Sequence, residues 1–477
     1  MFRSKVKQRR IFTNRRRVRR RFSWLGAIAS VGLFLLSLEL LTRIFIDLSS
    51  DPSGYAERNR SKFAEAEVRS DPLKAYQLNF VSPQITRADI ENSNSLLAQN
   101  SMSVGYSLVE NQQREMWQIN EQGFRDREPV PVAKPPGEIR IFLLGNSTAF
   151  GYGNPNNSST ISAQLESRLQ QRIGQQQASP QEYQPDVLPF DKEQRQKSLT
   201  KPPKIKPGKY RIINAAVPGY ASGNELAQVA LQILKYKPDL IVVLDGYQDL
   251  LLPSQQKGTE VPVAVAAEDS QLDSLGAYLD RLLEPLQNNS YLVKLAAKSL
   301  SESESDDAVD FALDESTSNL VKHLPENQEE LEGRVARYID NQKQILNLSA
   351  AAQVPLLVAI QPEITGRNPK QLTDTEGKIA TELGRTYIKQ VRDSYPAFSA
   401  AASRLAKAYP NNLKVIDLYR LTDKYPSPSF VDAIHLNKVA NQKVAEQLYY
   451  GIASLPKMQI KPQQAPTPTP TPVYPRR

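Results

Sequence analysis

Three glycine-bearing turns and one acid–imidazole pair carry the chemistry this chain can offer. Residues 143–153, LLGNSTAFGYG, end an apolar run in Gly145-Asn146-Ser147. A second run, YRIINAAVPGY (210–220), ends in Pro218-Gly219, and a third, DLIVVLDGYQDL (239–250), ends in Gly246-Tyr247-Gln248-Asp249. Near the C-terminus, FVDAIHLN (430–437) sets Asp432 and His435 three residues apart, just ahead of a helical pattern. On a turn this spacing brings both side chains to one side, where a carboxylate can orient and polarise an imidazole for serine chemistry. Taken alone, Ser147 could instead cap the following helix or line a phosphate-binding turn. The phosphate reading lacks any G-x-x-x-x-G-K-[ST] or G-x-G-x-x-G pattern.

The elements that must position these residues alternate between strand and helix. IRIFLLG (139–145) is apolar throughout, as a strand buried on both faces is. TISAQLESRLQQRI (160–173) has helical spacing, and the strand 210–220 precedes a helix at 224–237 that Pro238 stops. The strand at 239–250 follows. After a long interruption come a helix (VARYIDNQKQILNLSAAAQ), a strand at 354–364, a strand at 413–421 and a closing helix at 437–455. Helices between apolar strands argue for an α/β fold with a parallel sheet covered on both faces. In such a sheet ligands sit outside the carboxyl ends of the strands, so the three glycine turns are expected at one edge. MWQINEQGFRDREPV (116–130) reads as a strand and turn at the start of this domain.

The four blocks, in this order and at these strand ends, resemble those of the SGNH (GDSL-type) hydrolases. INEQGFRD (119–126) is similar to the N-x-x-G-F-R segment that precedes the first block in membrane-anchored bacterial members. The resemblance covers residues 116–455 and implies a three-layer, flavodoxin-like sheet. It implies Ser147 as nucleophile, His435 as general base and then acid, and Asp432 as the group that fixes the imidazole tautomer. The oxyanion hole would comprise the N–H groups of Ser147 and Gly219 and the side-chain amide of Gln248. The chain departs from the pattern at Gln248, where Asn is usual, at Asn146, where Asp is usual, and at Ala216 and Ala440, where Gly is common. No cofactor and no metal are implied.

Composition locates the rest. The chain has 477 residues, no cysteine and two histidines, which excludes disulfides, thiolate chemistry and cysteine or histidine-rich metal sites. Its net charge of +9 resides in residues 1–22, which hold 11 Lys/Arg and no acid; without those 11 charges the remainder carries −2. A nucleic-acid partner is therefore not expected. The basic arm leads into the apolar segment Trp24–Ile46, whose 23 residues at about 1.5 Å each can span a hydrocarbon core of about 30 Å. Basic residues before the span and none just after it orient the N-terminus to the cytoplasm.

The expected organisation is a basic arm (1–23), a transmembrane helix (24–47), a polar spacer with scattered helical patterning (48–115), the hydrolase-like domain (116–457) and a proline-rich tail (458–477). Insertions are expected at 175–208 and 253–335, the second containing the acidic, mobile run SESESDDAVDFALDESTS (301–318). His323, in that second insertion, reads as an ordinary surface residue. The functional expectation is a single-pass inner-membrane serine esterase with its C-terminal domain outside the cytoplasm, acting on an acylated envelope glycan or lipid. An O-acyltransferase using the same residues is the alternative. So is a catalytically weak domain that binds a glycan or organises an assembly.

Overall fold

In the computed structural model, residues 72–82, 85–260 and 320–465 are described. The basic arm, the expected transmembrane segment, the acidic run and residues 466–477 lie outside them. Among the described residues no helix is long and apolar enough to cross a membrane.

The first described segment forms a small sheet of β1 (Leu78–Phe80), β2 (Leu96–Ser101) and β3 (Gly105–Leu108). β1 runs parallel to β2 and β3 antiparallel to it. Short helices at Pro72–Ala75 and Arg87–Asn92 accompany this sheet, and the buried side chains along 96–108 feed the main core through Leu96, Ala98, Tyr106 and Leu108. Residues 116–130 pack by turns and one isolated bridge, Gln113 to Gln118, rather than as a regular strand. They bury Trp117, Ile119 and Phe124.

The main sheet comprises β4 (Glu138–Gly145), β5 (Lys209–Asn214), β6 (Leu240–Asp245), β7 (Leu356–Ile360) and β8 (Leu413–Asp417). Its order is β5-β4-β6-β7-β8, and all four pairings are parallel. Every residue of β6 and β7 is buried, which is why their sequences show no alternation. Helices α1 (Ser147–Phe150), α2 (Ile161–Ala178), α3 (Ser222–Gln228), α4 (Tyr247–Leu251), α5 (Gln328–Ala351), α6 (Asp374–Ala408) and α7 (Lys438–Ala453) complete the layers. Ile141, Leu143, Val242 and Leu357 face α2 and α7 on one side. Phe142, Leu144, Val243 and Val358 face Ile345 and Leu346 of α5 and Leu405 of α6 on the other. The expected three-layer α/β architecture is thus present.

Local differences have local causes. The helix expected at 224–237 is α3 followed by a π turn at Val229–Ile233 and a 3₁₀ turn, ended by left-handed Lys237 before Pro238. α5 begins at Gln328, inside the stretch read as insertion, because Asn327 caps it by accepting from Glu330 N. α6 had no counterpart in the sequence reading; it is broken at Gly384 (φ 81°, ψ 163°) and contains Pro396, both helix-stop signals.

β4 ends where no side chain fits. At Gly145, with φ 142°, a Cβ would lie 2.2 Å from the Leu244 carbonyl oxygen and 2.7 Å from Ala149 Cβ. The turn that carries Ser147 therefore depends on glycine. Gly145→Ala is expected to lower unfolding free energy by at least about 2 kcal/mol, read from the urea midpoint; a change below about 0.5 kcal/mol would contradict this packing.

Candidate active site

Ser147 begins α1 at the carboxyl end of β4 and is fully buried. Asn146 caps the helix by accepting from Thr148 N at 3.0 Å. The other end of α1 is held by Arg125, of the GFR segment, which is itself buried. Its Nη1 donates to the carbonyls of Phe150 (3.0 Å) and Gly151 (2.7 Å), and its Nη2 to Tyr76 Oη (3.0 Å) and to the carbonyl of Met116 (2.7 Å). A cation on C-terminal helix carbonyls is favourably placed in the helix field. Arg125 is thus a support of the serine turn, a role the sequence reading did not assign.

The acid–imidazole pair occupies a tight loop closed by Val431 N donating to the His435 carbonyl at 2.9 Å. Asp432 Oδ1 accepts from Ile434 N (3.0 Å) and His435 N (2.7 Å), while Oδ2 lies 2.5 Å from His435 Nδ1. Enclosure by the loop opposes ionisation of Asp432, but His435 and these N–H groups outweigh it and hold the carboxyl below its ordinary value. The imidazole is thereby oriented through Nδ1, which directs Nε2 away from the carboxylate. Tyr152 stacks on the ring at 4.4 Å with 15° between planes.

A buried ion pair anchors the approach to this loop. Arg367 Nη1 lies 3.0 Å from Glu376 Oε1, and both side chains are fully buried. Arg367 also donates to Ser429 Oγ (3.0 Å) and to the Tyr425 carbonyl (2.6 Å), while Glu376 accepts from Ser429 N at 2.9 Å. Such a pair fixes geometry more than it stabilises, since desolvation offsets much of its attraction.

Two backbone segments join the serine turn and the histidine loop. Thr148 Oγ1 donates to the Ile434 carbonyl at 3.2 Å, and Ile364 N donates to the Ala433 carbonyl at 2.9 Å. Gln361, just past β7, accepts from Asn146 Nδ2 at 2.6 Å and donates to Thr148 Oγ1 at 3.1 Å. The Pro218–Gly219 turn follows β5, beside β4, with Val217 N donating to the Gly145 carbonyl at 3.1 Å. Tyr106 Oη of β3 donates to the Pro218 carbonyl at 2.7 Å, and Tyr220 Oη donates back to the Tyr106 carbonyl at 2.5 Å. The small sheet at the start of the described chain therefore fastens the turn that carries Gly219.

Gln248 is buried in the first turn of α4, after β6. Its helix is held on several sides. Tyr247 Oη shares a hydrogen bond with Tyr387 Oη (2.8 Å), Ser222 Oγ donates to Asp249 Oδ1 (2.6 Å), and Arg334 Nη1 donates to the Leu250 carbonyl (2.5 Å). Asp249 thus serves as a tether between α4 and α3. All three glycine turns follow the carboxyl ends of neighbouring parallel strands, as expected. His323 lies in a 3₁₀ turn, and its carbonyl accepts at 2.6 Å from the same Arg334 Nη1 that donates to the Leu250 carbonyl of α4.

No protein-family model matches the chain, and no curated protein sequence does. Solved structures do match. An acetyl xylan esterase, AlAXEase, is 11% identical and matches 66% of this chain and 100% of its own, with a TM-score of 0.31. A lipase/acylhydrolase from Enterococcus faecalis is 15% identical over 68% of this chain and 100% of its own, also at 0.31. A single-site mutant of Axe2, an acetyl-xylooligosaccharide esterase from Geobacillus, is 10% identical over 65% of this chain and 93% of its own, at 0.32.

Behind the carboxyl edge lie carboxyl groups that sequence reasoning passed over. Glu225, Asp245 and Asp249 are buried together; burial raises the pKa of each, and their mutual repulsion adds to this for Glu225 and Asp245. Tyr338 Oη and Gln342 Nε2 donate to Asp245 at 2.9 and 2.6 Å, which partly offsets the rise. Among the described residues, no group of His, Cys, Asp and Glu is arranged to hold a metal ion. Glu363, two residues past Gln361, is also buried; burial pushes its carboxyl up to about 7, although Thr365 and Tyr387 donate to it. A position at the carboxyl end of a buried strand was the only signal for Gln361 and Glu363.

A carboxyl whose pKa is raised by folding holds its proton more tightly in the native state. Its stabilising contribution is complete below the unfolded value and is lost as pH rises through the folded one. For Glu363 that window runs from the ordinary 4.5 to about 7. Glu363→Gln, neutral throughout, is expected to gain stability relative to wild type as pH rises across this window, followed by urea unfolding at each pH. A flat or shrinking difference would contradict the assignment.

Proposed function

We propose that the chain is a serine ester hydrolase of the SGNH type, and that it works outside the cytoplasm, anchored by its N-terminal apolar segment. The observation that carries the reading is the Asp432–His435 pair, oriented at 2.5 Å and tied through Thr148 and Ile434 to the turn of Ser147. His435 takes the Ser147 proton as Oγ attacks the acyl carbonyl, and Asp432 stabilises the imidazolium that forms. The oxyanion is met by the N–H groups of Ser147 and Gly219 and by the Gln248 amide. Protonated His435 passes its proton to the leaving alcohol, and water then repeats the sequence in reverse to free the acid. The substrate class is an acylated envelope glycan or lipid, in keeping with the basic arm and apolar Trp24–Ile46 segment that would hold the domain at a membrane surface.

Gln248 stands on a helix pinned by Tyr387, Ser222 and Arg334, and on this reading its side-chain amide is the third donor to the oxyanion. On this reading Ser147→Ala and His435→Ala abolish hydrolysis of an activated acetyl ester. Gln248→Ala lowers kcat by about 10²–10³ with little change in KM, as for loss of one oxyanion donor. Steady-state kinetics on p-nitrophenyl acetate provide the check. Wild-type hydrolysis that persists in Ser147→Ala would refute the serine assignment.

A further inference from the structure

The residues on either side of Ser147 belong to a run of hydrogen bonds whose direction is set at both ends by backbone. Thr148 N–H, which can only donate, goes to Asn146 Oδ1 at 3.0 Å. That fixes the Asn146 amide, so its Nδ2 is the group donating to Gln361 Oε1 at 2.6 Å. Gln361 then turns its own NH₂ to Thr148, with Nε2 donating to Oγ1 at 3.1 Å. A hydroxyl that accepts there has its single proton left for the Ile434 carbonyl at 3.2 Å, which can only accept. The Gln361 main chain is held as well: its N–H donates to the Asp245 carbonyl at 2.9 Å, and its carbonyl accepts from Tyr395 Oη at 3.2 Å. Asn146, Thr148, Gln361 and Ile434 are all buried, so water does not compete for these groups.

We propose that Gln361 and Thr148 are positioning residues for the Ser147–His435 pair. The Gln361 amide orients the Thr148 hydroxyl, and that hydroxyl locks the serine turn to the loop that carries His435. The proposal rests on the serine-hydrolase reading and deepens it. A satisfied buried network would stabilise the fold whether or not it aligned anything. Alignment makes a distinct demand, because a displacement of about 1 Å between reacting groups costs about 10²-fold in rate.

The test uses the full chain and the rate at which a fluorophosphonate labels Ser147. The final extent of labelling reports how much protein is folded and competent; the rate constant reports how well serine and imidazole are aligned. Thr148→Val removes only the hydroxyl, and Gln361→Met keeps length while removing the amide. Each is expected to label to the wild-type extent but about 10–100-fold more slowly, and Thr148→Ser to recover most of the rate. The double variant should be no slower than the slower single one, since both interrupt the same link. Wild-type rate constants in both single variants, with or without a loss of extent, would overturn the positioning role alone. An unlabelled wild type would overturn the serine reading and this role with it.

Discussion

The serine turn and the histidine loop are separated by 286 residues along the chain at the point where Thr148 Oγ1 meets the Ile434 carbonyl. That contact is the constraint on which the site depends, because neither partner can find the other through local structure. The sheet supplies the coarse placement: β4 is flanked by β5 and β6, so its carboxyl end lies between the turns that follow them. The fine placement comes from side chains. Arg125 grips the far end of α1, Asn146 its near end, and the buried Arg367–Glu376 pair holds the residues leading into the Asp432 loop. Each of these side chains ties together segments that are remote in sequence or would otherwise be loose.

The small sheet 78–108 takes part in the same arrangement. Reciprocal bonds between Tyr106, Pro218 and Tyr220, with the two tyrosine rings edge-on at 5.2 Å, fasten the Gly219 turn to a segment outside the main sheet. Asn224 Nδ2 reaches back to the Val104 carbonyl at 2.8 Å and adds a second fastening. Perturbing the segment before the main domain is thus a route to the site that bypasses the residues in it.

What was legible in the sequence was what local patterning encodes. Strands buried on both faces show as unbroken apolar runs, and the glycine turns stand where those runs stop. The pairing of Asp432 with His435 is readable because three residues separate them. Gln361, Thr148 and Arg125 were not readable as supports, since their partners lie far away in sequence and an isolated Gln, Thr or Arg carries no spacing signal. α6 was not legible because Gly384 and Pro396 look like breaks; the chain does leave helical geometry at Gly384, whereas at Pro396 the helix continues, packed through Tyr387, Tyr395 and Phe398. The buried carboxyls were hidden for a related reason. Asp245 and Glu363 lie at strand ends, where an acid ordinarily signals solvent, and only the surrounding layers turn them inward.

The central claim is that Ser147 carries the acyl group between alcohol and water. The most direct measurement is acid quenching during turnover of an activated acetyl ester, followed by peptide mapping by mass spectrometry. One acetyl group is expected on the peptide containing Ser147 in the wild type and none in His435→Ala. Turnover without an acylated Ser147, or acylation of another residue in its place, would contradict it.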